Sequence, residues 1–456
     1  MRKVSPTTGA VADARSAPKQ TGAGGPLGTA AKTPSPETRR GPQGTLYSLH
    51  DDETGEVVLM RDGRLVVTPE QARANRWALK SVVNSILPES RTAACMRLRA
   101  PVSGQTLGDI QIMKGIHKKA FYQGLLVCAR VWNCPVCAAK ISERRRFELK
   151  DGLLTAYEMG MRSHFVTLTV PHGVGDDVKE LLAKLSEALK RLSHGKYAIK
   201  RCIEQERPGE SLYGYIRALE VTHGQNGFHP HFHIIVFTSQ GITSEFLQEA
   251  YLAAWQRACR LAGLPEPSVQ HGVTVQDGRK AAEYASKWGL EDEMTKAHMK
   301  QTRRKGATPW GLLRAVLDGD DPEYPPERAA ALFRVYSEAF AGRRQLYWSN
   351  GLRKLLQISK ELTDEELAGR AEDEQAVALA TLTSVQWKAI RRFRQEAHIL
   401  TVAEANPELL SVAIHWLVVR AAGLVEPDGA PPLRGVSLDK AKSGPPASVM
   451  PRPDED

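Results

Sequence analysis

The stretch GFHPHFHIIVF, residues 227–237, sets His229, His231 and His233 on alternate positions directly ahead of an apolar run. In an extended strand, side chains two apart project from the same face. The three imidazoles then form a row, while Phe232, Ile234 and Val236 point the other way. Two readings compete. One is an amphipathic strand whose polar face is histidine-rich, hydrogen-bonded or solvated. The other is a metal site, because neutral imidazole is the commonest transition-metal ligand. Three histidines within five residues, in a chain that has 13 in all, favour the metal.

The flanks give this strand its place. The turn HGQNG (223–227) joins it to SLYGYIRALEV (211–221), and centring the turn on Gln225 and Asn226 puts Glu220 opposite His231. Glu220 then shares a face with His229 and His233. A carboxylate beside imidazoles is a ligand set that leaves positions for water and substrate, although a solvent-facing strand glutamate is the plainer alternative. Upstream lie a strand, HFVTLTV (164–170), and a helix from about Val178 to Leu192. Downstream come a helix from about Ser244 to Ala262, a short strand near His271–Val275 and a helix from about Gly278 to Trp288. This β-α-β-β-α-β-α order, with a hairpin at its centre, predicts an α+β fold. Its core is a ferredoxin-like antiparallel sheet with flanking helices, not a parallel Rossmann sheet.

A chain of 456 residues has room for more than one core, and no run approaches the length of a membrane span. The N-terminus is basic without an apolar segment behind it, which argues against a secretory signal and for a cytoplasmic protein. A net charge of +10 points to polyanionic partners. Residues 1–44 and 426–456 are rich in Gly, Pro, Ser and charge and poor in large apolar side chains, so they read as disordered tails. Between them, 45–150 reads as a helical and cysteine-bearing segment, 151–300 as the sheet domain and 301–425 as a mainly helical region. Thr68-Pro69-Glu70-Gln71 has the pattern that opens a helix, here running to about Ile86.

Of six cysteines, Cys128, Cys134 and Cys137 form a C-x5-C-x2-C cluster, with Cys95 upstream as a fourth ligand or His117 in its place. Four thiolates suit a structural Zn²⁺ site; four ordinary core cysteines are the alternative. Cys202 and Cys259 read as buried small hydrophobes. Basic residues interleave with aromatics in SERRRFELK, with Arg144, Arg145 and Arg146, and in RRQLYWSNGLRK, with Arg343, Arg344, Trp348, Arg353 and Lys354. That mixture suits phosphate contact and base stacking, while a solvated charged face is the bland reading of each. The helix WKAIRRFRQEAH (387–398) is a further groove-binding candidate.

In EYASKW, Tyr284 and Lys287 are three apart, which places a phenol and an ammonium on one helix face. A tyrosine can act as a covalent nucleophile, and the cation can orient a phosphate and stabilise the forming phenolate. Tyr197-Ala-Ile-Lys200 matches the same spacing but has no companion motif. The succession Phe165–Thr169, His231-Phe232-His233 and Tyr284–Lys287 resembles the three motifs of the HUH endonucleases, specifically the single-tyrosine rolling-circle replication initiators of small bacterial plasmids. VCARVWNCPVCAAK (127–140) and GRRQLYWSNGLRKLL (342–356) resemble the segments flanking the nuclease domain in that family, so the likeness covers roughly Cys95 to Leu362.

The resemblance implies an endodeoxyribonuclease with nicking and joining activity. His231 and His233 would hold Mg²⁺ or Mn²⁺ with Glu220 as third ligand and His229 as a neighbour or auxiliary ligand. Tyr284 would attack a phosphodiester of the double-strand origin, leaving a 5′-phosphotyrosyl link and a free 3′-OH. Origin DNA and its single-stranded nick region are the implied partners, with a host helicase and polymerase. One position departs from the family: where single-tyrosine initiators place a glutamate four residues before the tyrosine, this chain has Lys280. Glu283 and Glu293 are then the candidates for activating water in termination. An HUH transposase or conjugative relaxase, and a non-catalytic zinc-dependent DNA-binding regulator, are the rival functions.

Overall fold

The computed structural model describes residues 68–102, 107–281, 306–369 and 375–423 with side chains, and the backbone alone of 46–50, 57–61, 64–65, 103 and 106. It divides into two units, Met1–Val66 and Val67–Asp456. In the first, β1 (Leu46–His50), β2 (Val57–Arg61) and β3 (Arg64–Leu65) pair antiparallel in sequence order. The two tails expected to be disordered lie outside the described residues.

The second unit opens with α1 (Pro69–Ile86), held by the expected cap. The Gln71 N–H donates to Thr68 Oγ1 at 3.2 Å and the Thr68 N–H donates to Gln71 Oε1 at 2.9 Å, so two orphan helix donors are satisfied reciprocally. α2 (Arg91–Ala94) delivers Cys95. β4 (Pro101–Ser103) pairs with β5 (Thr106–Leu107), and β6 (Ile110–Lys114) with β7 (Ala120–Gln123). α3 (Pro135–Glu158) follows, starting at Cys134 with proline in its first turn.

The main sheet then forms from β8 (Arg162–Leu168), followed by α4 (Val178–Ser193) and α5 (Ile199–Glu206); the hairpin β9 (Leu212–Gly224) and β10 (Gly227–Thr238); α6 (Ser244–Leu261) and β11 (Val273–Gln276); and β12 (Leu346–Trp348). Strand order is β11-β8-β10-β9-β12, with every neighbouring pair antiparallel. This is the expected ferredoxin-like arrangement with one strand added at the β9 edge. That added strand comes from the region expected to be mainly helical, beyond the bounds 151–300. The same region supplies β13 (Val377–Leu382), which pairs with β6. Otherwise it is helical, in Pro309–Asp318, Pro326–Ala339, Ser384–Arg392, Glu396–Ala405 and Leu410–Ala421.

The alternation in β10 explains the two layers. Phe232, Ile234 and Val236 face α4 and α6, whose Leu181, Leu182, Leu185, Leu189, Tyr251 and Trp255 complete the larger core. The apolar spacing of α4, at positions three and four apart, produces that stripe. Trp255 is fully buried, and its indole N–H donates to the Thr169 carbonyl at 2.8 Å, so its polar atom is satisfied. On the opposite face Ile235 and Phe237 join Leu149 and Ala156 of α3, together with Trp348 and Leu352, in a smaller core. The run IIVF, Ile234–Phe237, is therefore continuously apolar because past His233 the strand is covered on both sides.

The hairpin turn is tight and glycine-dependent. Gly227 has φ +84°, and a Cβ there would lie 3.3 Å from the Gly173 oxygen, so both conformation and space require glycine. With that turn in place Glu220 pairs with His231, in the register the sequence predicts.

Candidate functional site

Three side chains converge on the histidine face. His231 Nε2 and His233 Nε2 lie 3.8 and 3.5 Å from Glu220 Oε2, and donor atoms of the three residues all fall within 4.8 Å of one another. Each ring is aimed by a contact on its other nitrogen. Nδ1 of His231 is 3.1 Å from the His229 carbonyl, and Nδ1 of His233 is 3.0 Å from Thr167 Oγ1. A carbonyl accepts only, so Nδ1 of His231 carries the proton and Nε2 keeps its lone pair. Thr167 sits directly across from His233 in the β10–β8 ladder, and Phe165 stacks on the His233 ring with centroids 5.0 Å apart.

Burial lowers the basicity of both ligand imidazoles. His233 is brought down to about 4, and His231 is lowered by burial and then by the neighbouring His233. Both are neutral near pH 7, the state that binds a cation without first losing a proton. The donor set, two neutral nitrogens and a carboxylate with their ligand atoms within 4.8 Å of one another, fits a divalent ion.

His229, expected as a neighbour or auxiliary ligand, stacks beside His231 with ring centroids 5.0 Å apart. Its Nδ1 lies 3.3 Å from Nδ1 of His172, a residue of the loop after β8, and it is not among the three converging groups. Burial and the neighbouring histidines lower it to about 4. The roles of Thr167 and His172 escaped the sequence reading. The expected ferredoxin-like order already sets HFVTLTV beside HFHIIVF, but the register that brings Thr167 opposite His233 is set by no local turn.

A second centre is built from Cys95, Cys128, Cys134 and Cys137, all buried. Sγ separations are 3.5 Å for Cys95–Cys137, 3.6 Å for Cys128–Cys137 and 3.8 Å for Cys95–Cys134. Four thiolates at about 2.3 Å from a tetrahedral ion sit about 3.8 Å apart, whereas a disulfide requires about 2.0 Å. The spacing fits a shared cation. Contacts with the other thiols hold Cys128 far below the usual thiol range, while burial pushes Cys134 up. The Cys128 N–H donates to Cys95 Sγ at 3.3 Å. Cys95 is thus the fourth member; His117 is exposed and outside the cluster. Cys259 is buried as expected, but Cys202 is only half-buried.

Several basic residues expected at DNA are corrected by their surroundings. Arg145 is buried and paired with Asp364. Arg353 bonds Glu148 at 3.0 Å and the Ser359 carbonyl at 2.9 Å. Trp348 is 4% exposed, inside the smaller core. All three are structural, because a cation already neutralised in the interior, or a buried ring, has nothing to offer a strand outside. Arg343 is largely occupied by the Ala339 and Leu182 carbonyls. Arg146 pairs with Glu143, and Arg144 is half-buried with a partner of its own. Arg344 and Lys354 remain exposed.

After β11, Asp277 caps a helical turn at Gly278–Ala281, where Ala281 enters the smaller core. Tyr284, Lys287, Glu283 and Glu293 lie outside the described residues. Tyr197 is exposed, with Arg257 stacked over its ring. No helix among the described residues is long and apolar enough to cross a membrane.

An antiparallel sheet that presents two anchored histidines and a glutamate, in a chain that also builds a four-cysteine centre, defines a class of α+β protein built around two metal-type sites. Comparison with known proteins narrows that class. A family model described as "Replication protein" matches residues 122–395, more than half of the chain, and the chain belongs to that family. It is 26% identical over 349 residues to "Protein rep" of Streptomyces lividans, covering 62% of this chain and 76% of that one. It is also 26% identical over 144 residues to "Protein rep" of Lentilactobacillus hilgardii, covering 30% and 43%. A "Neomycin resistance protein" of Streptomyces cyanogenus is 30% identical over 170 residues, covering 31% and 39%. The chain thus spans less than half the length of the latter two. No solved structure matches.

Proposed function

We propose that this replication protein initiates plasmid replication by the rolling-circle route, as a single-tyrosine HUH endonuclease that nicks one strand of the double-strand origin. The observation that carries this is the convergence of His231 Nε2, His233 Nε2 and a Glu220 oxygen on one sheet face, with neutral imidazoles each anchored through its other nitrogen. Family membership supports it. A bound Mg²⁺ or Mn²⁺ would polarise the scissile phosphate as a Lewis acid. The chain's own part is nucleophilic. The Tyr284 oxygen forms a new bond to phosphorus, the bond from phosphorus to the 3′-oxygen breaks, and the phenol proton ends on that oxygen. The products are a 5′-phosphotyrosyl link and a 3′-OH that a host polymerase extends while a helicase opens the duplex. Lys287 orients the phosphate, and Glu283 or Glu293 serves as base for the terminating water in place of the residue missing at Lys280. Arg344 and Lys354 contact backbone phosphates. Zn²⁺ occupies the four-cysteine centre as a structural ion, and the protein works in the cytoplasm.

The test is incubation of purified protein with supercoiled DNA carrying its origin. Wild type is expected to yield a nicked circle with protein on the 5′ end, only when Mg²⁺ or Mn²⁺ is added. Tyr284→Phe removes one oxygen, so it should keep DNA binding and lose the adduct. A persistent adduct in Tyr284→Phe would sink the assignment and direct attention to Tyr197. Elemental analysis of the same preparation, made without chelators, reads the zinc claim: absence of zinc removes it.

A further inference from the structure

On the sheet face opposite the histidines, α4 and the β9–β12 edge enclose an open cleft of about 470 Å³. That volume lies within the range of small-molecule sites, roughly 300–1,000 Å³. Arg217 sits in its wall, one residue out of phase with Ala218 and therefore turned away from the histidine face. Its guanidinium lies 4.9 Å from the Tyr347 ring centroid and 5.5 Å from that of Phe232. Arg344 approaches Tyr347 at 5.7 Å. Lys190, at the end of α4, adds another positive charge at the rim.

Among the described residues no carboxylate lines the cleft, and Arg344 reaches Glu361 only at 3.9 Å. Arg217 is thus a half-buried cation held by aromatic rings, with no carboxylate neutralising it. Burial works against its charged form, partly offset by Tyr215 and Tyr347, with the Arg344 charge a smaller opposing contribution, and an anion would relieve the burial and the repulsion. The Tyr347 ring is half-buried and is the exposed-side aromatic of the cleft, and aromatic rings beside cations are where planar bases stack. Cations beside an aromatic ring match a nucleotide unit: phosphate on the cations, base on the ring.

We propose that this cleft binds a nucleotide unit of single-stranded DNA, with its phosphate on Arg217 and Arg344 and its base on Tyr347. It lies on the face opposite the metal-type centre, so a strand here is held apart from the strand presented for cleavage. The binding needs neither Tyr284 nor a divalent ion, and its failure is distinguishable from failure of the cleavage reaction.

The experiment uses the full-length protein without added divalent ion and a fluorescent twelve-nucleotide thymidine oligomer, followed by anisotropy. Arg217→Met is expected to weaken binding about tenfold and to reduce the slope of log affinity against log salt by about one. Arg344→Met, at an exposed position, should weaken it in the same direction and guards against misfolding of the first variant. Thymidine monophosphate is the second arm. Weak competition by the monophosphate supports a strand site, whereas tight, Arg217-dependent binding of the monophosphate would make the ligand a free nucleotide and overturn the proposal. Equal oligomer affinity and salt slope in wild type and both folded variants would also overturn it. Origin nicking with Mg²⁺ is measured separately, and its absence in wild type bears only on the cleavage mechanism.

Discussion

At the scale of the residue, the histidines of this sheet divide into two kinds by what their nitrogens meet. His231 and His233 each spend one nitrogen on a neighbour and turn the other toward Glu220. His164, three residues before Thr167 on β8, spends both: Nδ1 is 3.0 Å from Ser244 Oγ and Nε2 is 3.1 Å from Thr238 Oγ1, with the ring fully buried. It ties β8 to β10 and to the start of α6, and has no lone pair left for chemistry. Burial, then the charge of Arg162, lowers its pKa to about 4. In the unfolded chain it returns to about 6.5. Between those values the unfolded state binds more protons than the folded one, so stability rises with pH there. The contribution is fully present above about 6.5 and is lost as pH falls toward 4. Between pH 7 and pH 5 the loss amounts to roughly 1–2 kcal/mol. Chemical denaturation of wild type and His164→Gln at both pH values is expected to show the larger pH-dependent drop in wild type by that amount. Equal drops would mean that this imidazole is not held neutral.

At the scale of the element, the middle of α3 makes an unusual demand. Glycine inside a helix ordinarily costs about 1 kcal/mol relative to alanine, yet Gly152 sits six residues before the end of α3. A Cβ there would lie 2.7 Å from Trp348 Cη2, and that ring is buried. β12 therefore packs against α3 through the missing side chain. Gly152→Ala should lower stability by about 1–3 kcal/mol, as overpacking does, reversing the sign that propensity predicts. A higher melting temperature in Gly152→Ala would show the contact to be yielding. The same contact explains what the sequence hid. The β9–β10 hairpin was legible because a two-residue turn and a two-residue period together set its register, which put Glu220 beside the histidines. β12 was not, because three residues carry no periodicity and its partner lies far upstream. Arg145, Trp348 and Arg353 looked like a DNA face because composition is the same for an exposed basic patch and a buried ion-pair network. Only the distant Asp364 and Glu148 reveal which it is.

At the scale of the whole chain, distant segments complete each other. β13 closes the sheet of β6 and β7. Glu404, in the helix Glu396–Ala405, pairs with the buried Arg73 of α1 and accepts the Ala120 N–H at 2.8 Å. The Trp132 indole donates to the Arg343 carbonyl at 2.7 Å, so the cysteine segment grips the turn leading into β12. The chain from Val67 onward accordingly forms one unit and does not separate near residue 300. Cutting it there would strip β12 from the main sheet and uncover Ile216, Ala218 and Trp348 of the smaller core. Beginning a fragment at 151 also removes Leu149 and the first two-thirds of α3 from that core. A fragment spanning 151–300 is therefore expected to lack a cooperative unfolding transition, whereas 68–423 should keep one close to that of the full chain. Denaturant titrations of both fragments, followed by tryptophan fluorescence and circular dichroism, check this. Cooperative unfolding of the 151–300 fragment with wild-type helix and strand content would show that the sheet layer folds by itself, and that the contacts through Glu148, Trp348 and Glu404 add affinity between domains instead of completing a single core.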